Sequence, residues 1–258
     1  SSKLEEVRLA IKEVAFSYYM RGKYIQYSTS KDHYFSPEEA TSQNINFLVC
    51  TSFLTTIYLE LLNFSIPLNP SNLIDYTKQN INNAEVIFYS HVRSDGEMEM
   101  RINEGQNKYR SIINPSIDDV IPLLQIGDVL CYTSHGILVY DVEKDKSGKV
   151  IDAIIIESTS SSYINTKIPK NVTFPYPNGV GFVCSSNALF LSERINNNFN
   201  KGAIEGTIGM QRFSNYTRWV NMNNTKKRYQ EYIVLRFIQS DSKGNAVLKY
   251  TNTVNYSK

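Results

Sequence analysis

Three apolar segments follow one another at residues 128–132, 136–142 and 150–157, separated only by short polar breaks. Runs this short, rich in Val, Ile and Tyr and bounded by turn residues, read as strands rather than helices. Lys146-Ser147-Gly148 supplies the turn between the last two. Connections of three and seven residues are short enough only for antiparallel neighbours, so the chain is constrained to contain an antiparallel meander. Everything else must pack against it.

Residues 3–20 carry Leu4, Val7, Ile11, Val14, Ala15 and Tyr18 at the three-and-four spacing of an amphipathic helix, which Gly22 ends. A polar stretch occupies 28–46. Residues 47–62 are almost continuously apolar, with Cys50 near the beginning; their length favours a buried helix despite Thr51, Ser52, Thr55 and Thr56. Residues 63–83 contain Pro67, Pro70 and a short helix. Segments 86–92 and 98–102 then flank Asp95-Gly96, a hairpin turn signal, and 116–124 reads as a short helix. Beyond Thr159 we expect strands at 182–184, 229–238 and 246–254, the last two pairing side by side, and a helix at 187–198. The pattern predicts an α+β fold in one domain spanning 1–258. It has an insertion at about 64–115 and a C-terminal elaboration at about 185–258.

Composition narrows the function classes. Lys plus Arg number 27 and Asp plus Glu 25, and a net charge of +2 argues against nucleic-acid binding through bulk charge. The basic run Lys226-Lys227-Arg228 reads as a solvated face. No stretch of about 18 apolar residues occurs, so no spanning helix is expected. Three cysteines with no C-x-x-C pair, and three histidines, predict neither a disulfide framework nor a structural zinc site. No metal or organic cofactor is implied. The beginning at Ser1-Ser2-Lys3-Leu4 fits either a cytosolic chain or one from which a signal peptide was trimmed, the latter pointing to a secreted or cell-envelope location. Oligomeric state is not legible.

A cysteine attacks carbonyls as thiolate, and a helix N-terminus or nearby imidazole lowers its pKa. Cys50 stands where an apolar helix opens, and the backbone N–H groups there also suit an oxyanion. Cys131 and Cys184 lie within short apolar strands, where core packing is the better reading. Core packing also remains open for Cys50. His33 sits in a polar loop and His91 in the predicted hairpin; His135 stands at the mouth of the strand 136–142, where a rigid element would hold a general base. A carboxylate closing the apolar run 153–156 is costly unless exposed or paired, which singles out Glu157 as the group orienting the imidazole. If the two strands pair about Lys146, position 135 faces 157. A register centred one residue on offers Ser158 or Thr159, and Asp141 and Asp152 are further alternatives.

Three stretches resemble the NlpC-type papain-like cysteine amidases, which cut the peptide stems of bacterial cell walls. Residues 13–24, from Glu13 through Gly22 to Tyr24, look like that family's opening helix with its glycine-then-tyrosine ending. Phe47-Leu48-Val49-Cys50-Thr51-Ser52-Phe53 stands in place of Asp-Cys-Ser-Gly-Phe, with Val49 for the aspartate and Ser52 for the glycine. Leu124-Gln125-Ile126-Gly127-Asp128-Val129-Leu130 is similar to the Gly-Asp start of a strand and is followed by His135-Gly136-Ile137. The likeness covers about half the chain. It implies a papain-like fold and amide or peptide hydrolysis through a thioester, with Cys50 as nucleophile, His135 as base, Glu157 as orienting residue and Tyr24 lining the substrate cleft. Gln43, seven residues before Cys50, is similar to the oxyanion glutamine of papain-like peptidases and is also read as a loop residue. A peptidoglycan stem peptide is the implied substrate. A polypeptide substrate, as for a peptidase or acyltransferase effector, and a non-catalytic binding module on the same scaffold are the alternatives.

Overall fold

The computed structural model describes residues 3–61, 84–106, 108–132, 135–158, 172–174, 182–184, 208–215 and 232–237. In chain order these form α1 (Lys3–Met20), a 3-10 turn (Gly22–Tyr24), β1 (Ile25–Gln26), a 3-10 turn (Pro37–Glu39), β2 (Asn46–Phe47) and α2 (Cys50–Leu61). There follow β3 (Ala84–Val92), β4 (Met98–Gly105), β5 (Lys108–Ile113), α3 (Ile117–Val120) with a 3-10 turn (Ile121–Leu123), β6 (Val129–Tyr132), β7 (His135–Lys144) and β8 (Val150–Ser158). Last come β9 (Val172–Phe174), β10 (Phe182–Cys184), β11 (Ile208–Arg212), a 3-10 turn (Phe213–Asn215) and β12 (Tyr232–Phe237). The fold is α+β with a mostly antiparallel sheet. The helices expected within 63–83 and 187–198 and the strand at 246–254 lie outside the described residues. By its internal contacts the chain divides into two compact units: 1–65 with 156–211 and 240–258, and 66–155 with 212–239.

In the first unit α1 packs on α2. Ile11, Val14, Ala15 and Tyr18 of the predicted stripe are buried, joined by Phe16 and Tyr19. The polar stretch before α2 also feeds this core. Phe35 meets Tyr18 edge-on at 5.6 Å, Tyr18 meets Phe53 at 6.2 Å, and the Tyr18 hydroxyl donates to the Phe35 carbonyl. Burial, then the nearby Glu60 carboxylate, pushes the Tyr18 phenol well above its ordinary pKa. β1 and β2 pair in parallel, Ile25 with Asn46 and Gln26 with Phe47. The Leu48 N–H then donates to the Gln26 carbonyl at 3.0 Å. That bond commits 46–48 to extended backbone, so the helix starts at Cys50, three residues later than the apolar segment itself. β9 and β10 form an antiparallel pair, Cys184 opposite Val172.

The meander is present. β6 and β7 are antiparallel, from Val129 opposite Leu138 to Tyr132 opposite His135, and the eight-stranded sheet runs β11-β8-β7-β6-β12-β3-β4-β5. β12 was expected beside 246–254. Instead Ile233 pairs with Cys131 on one side and Tyr89 on the other, so both edges of β12 are taken by strands far away in sequence. Phe88, Met100, Ile137, Val139, Ile155 and Val234 are among the side chains of one buried cluster on this sheet in the second unit. Asp128 ties the cluster's rim: fully buried, it accepts from Arg236 Nε and Nη2, each at 2.8 Å, and from the Gln125 N–H at 2.8 Å. The strand start in the Gly-Asp motif is thereby clamped to β12.

Candidate active site

Cys50 is the first residue of α2, a thiol in no disulfide, and 7% exposed. Helix geometry is set by the residue before it. Val49 carries no side-chain acceptor; its own N–H donates to Ser52 Oγ at 2.7 Å, and its carbonyl accepts the Phe53 N–H at 3.0 Å to close the first turn. A negative charge at this end of a helix, such as a thiolate, is favoured by roughly 0.3–1 kcal/mol, more when partly buried. Within the same unit, Ser158 at the end of β8 donates from Oγ to the Leu48 carbonyl at 3.5 Å, the outer limit of a hydrogen bond. The strand that carries Glu157 therefore ends beside the residues that lead into α2. Glu157 is 4% exposed.

His135 opens β7, as the sequence predicts, and is 4% exposed. By strand alternation it shares a face with Ile137 and Val139. It belongs to the second unit, whereas Cys50 and Glu157 belong to the first. Cys131 is 1% exposed between Gly136 and Ile233, a core thiol.

The turn between β7 and β8 corrects the expected pairing centre. The Asp145 N–H donates to the Lys149 carbonyl at 2.9 Å and the Gly148 N–H to the Asp145 carbonyl at 3.0 Å, with Gly148 at φ +87°. This is a three-residue loop closed by a glycine in the left-handed region, centred on Ser147 rather than Lys146. Turn 93–97 is built the same way, with Gly96 at φ +85°, and its ladder begins Val92 opposite Met98. Moving the centre by one residue shifts every partner by two, so an unbroken ladder from this turn sets Glu157 opposite 137 rather than 135; the alternative, Thr159, is outside the described residues. The shift leaves Glu157 on the same side of its own strand as Ala153 and Ile155.

The other carboxylates have structural partners. Asp152 accepts from Ser214 Oγ at 2.6 Å and the Ser214 N–H at 3.2 Å, with Arg212 at 3.8 Å; Asp141 accepts the N–H of Val142 at 2.9 Å. Tyr24 closes the 3-10 turn after α1 and is half-buried. Gln43 is exposed at the tip of the turn that Thr41 and Asn44 close by mutual backbone hydrogen bonds. His33, read from sequence only as a loop residue, has Nε2 at 2.8 Å from Asn46 Oδ1 and Nδ1 at 3.0 Å from the Lys31 carbonyl. No spacing signal marks that pair. Among the described residues no group of three or more His, Cys, Asp or Glu forms a metal site, and no helix is long and apolar enough to cross a membrane.

No protein-family model, curated protein or solved structure matches this chain.

Proposed function

We propose that the chain is a cysteine hydrolase of papain-like, NlpC-type architecture that cleaves an amide or peptide bond in a peptidoglycan stem peptide. Cys50 is the nucleophile, His135 the base and Glu157 the residue that orients the imidazole. His135 takes the thiol proton, the thiolate adds to the carbonyl, and the amine leaves with that proton as the thioester forms. Water then releases the acid and restores the thiol. The N–H groups of the first turn of α2 bind the developing oxyanion. One observation carries the reading: the thiol is the first residue of a buried helix whose cap, Val49, offers no competing side-chain acceptor. Support also comes from the end of β8 lying beside Leu48.

The test is release of free amino groups from purified cell-wall peptide. Cys50→Ala should abolish it, and Cys50→Ser should lower it by about a thousandfold or more. Parent-level hydrolysis in both variants overturns the proposal. The 7% exposure of Cys50 favours one rival, a binding module in which the thiol is a core residue. That rival predicts stem-peptide binding by the parent without turnover.

A further inference from the structure

We propose that His33 is a proton-operated latch: its imidazolium ties residues 31–33 to β2, just ahead of α2, and loss of the proton breaks one of the two bonds its ring makes. The latch works whether or not Cys50 is catalytic. Its anchor is Asn46, which is 4% exposed and donates from Nδ2 to the Glu39 carbonyl at 3.0 Å and to the Asn44 carbonyl at 3.2 Å. Those two acceptors fix which way the amide points. The atom turned to His33 is therefore the oxygen, Oδ1.

His33 Nε2 lies 2.8 Å from that Oδ1, and Nδ1 lies 3.0 Å from the Lys31 carbonyl. Both partners can only accept. A neutral imidazole carries one N–H and one lone pair, so either tautomer turns a lone pair on an oxygen, and the imidazolium alone donates at both ends. Stranding the buried Oδ1 costs more than stranding the exposed Lys31 carbonyl, so the neutral ring keeps Nε2–H and lets go of Lys31. The same segment is tied to β2 by the His33 N–H, 3.4 Å from the Phe47 carbonyl, and by Lys31 Nζ, 5.2 Å above the Phe47 ring. Freeing the Lys31 end loosens the cover of β2. The next residue, Leu48, donates to the Gln26 carbonyl at 3.0 Å and stands two before Cys50.

No carboxylate bonds to the ring, whose partners are the two oxygens and the Phe35 ring at 5.5 Å. Lys31 and Asp32 precede it in sequence, and Glu38 and Glu39 stand on the 3-10 turn whose last carbonyl holds Asn46. Arg21, after α1, donates to the Ala40 carbonyl, and Glu60 of α2 accepts from the hydroxyls of Tyr34 and Ser36. His91 and His135 both belong to the second unit. Within the first, Glu13 on α1 is a further titrating group, its carboxyl raised by burial.

The test is amide hydrogen exchange of the full chain at about pH 5.5 and about pH 8, either side of the ordinary histidine range, with each rate corrected for intrinsic exchange at that pH. In the parent, the Leu48 N–H should open about two- to tenfold more often at the higher pH, the worth of one hydrogen bond. His33→Phe and His33→Gln, which do not titrate, should lose that dependence. The Val139 N–H, which donates to the Asp128 carbonyl in the second unit, should open alike in all three proteins. The proposal is overturned if Leu48 of the parent opens equally at both pH values. It is overturned equally if the dependence survives in either variant, which would assign it to another group such as Glu13, or if Val139 changes along with Leu48 in the variants, which would make His33 a general prop.

Discussion

Removing the Asp128 carboxylate should cost more stability than any surface change in this chain, because of what it leaves behind. Asp128 is fully buried and accepts three hydrogen bonds at 2.8 Å, two of them from an arginine whose side chain is only 13% exposed. Asp128→Ala strands that guanidinium in the rim of the sheet and leaves the Gln125 N–H without its acceptor. Breaking a buried pair from one side costs about 3–5 kcal/mol. That is a large share of the roughly 5–15 kcal/mol by which domains are stable. Arg236→Met should cost a similar amount, since it takes both arginine hydrogen bonds from the buried carboxylate. The double variant removes both charges at once, so its loss should fall short of the sum by about 2 kcal/mol or more. Urea unfolding of all four proteins, followed by circular dichroism, gives the cycle. Single losses under about 1 kcal/mol, or additive losses, would refute the claim that this pair pins β12 into the sheet.

Glu13 on α1 has a buried Oε2 without a hydrogen-bond partner among the described residues, and burial raises its carboxyl above the usual range against a smaller opposing effect of Lys12. A raised carboxyl pKa penalises the folded state once the unfolded chain ionises. Glu13→Gln should therefore stabilise the protein at neutral pH and do little below about pH 4; equal effects at both pH values in thermal unfolding would contradict this. Gly148→Ala meets no atom within 4 Å, so its cost is that of the left-handed backbone alone, about 1–2 kcal/mol by denaturant unfolding. A neutral substitution would show that the turn has another conformation.

The meander, the helix stripe and the hairpin about Asp95-Gly96 were legible because each is a local pattern: a period of two, a period of 3.6, a glycine in a turn. The turn itself was legible at 146–148 but its centre was not: the pairing was expected about Lys146, whereas Gly148 at φ +87° is the last residue of a three-residue loop centred on Ser147. What escaped was long-range. Nothing in Tyr232-Ile233-Val234-Leu235-Arg236-Phe237 says that it slots between β6 and β3; the specifying contact, Arg236 with Asp128, joins residues 108 apart. Phe35 looked like part of a polar loop, but its ring fills the space against Tyr18. Of the candidate site, the positions of Cys50 and His135 at the first residue of a helix and of a strand followed from where apolar runs begin. The choice of Glu157 rested on a strand register, which a single turn residue decides.

The central claim, that Cys50 is an activated thiol served by His135, is tested most directly by limited iodoacetamide labelling of the folded chain at about pH 6, mapped by mass spectrometry. The account predicts that Cys50 is alkylated well ahead of Cys131 and Cys184, and that His135→Ala slows Cys50 to the rate of Cys131. Labelling of Cys50 no faster than Cys131, or unchanged by His135→Ala, would contradict it.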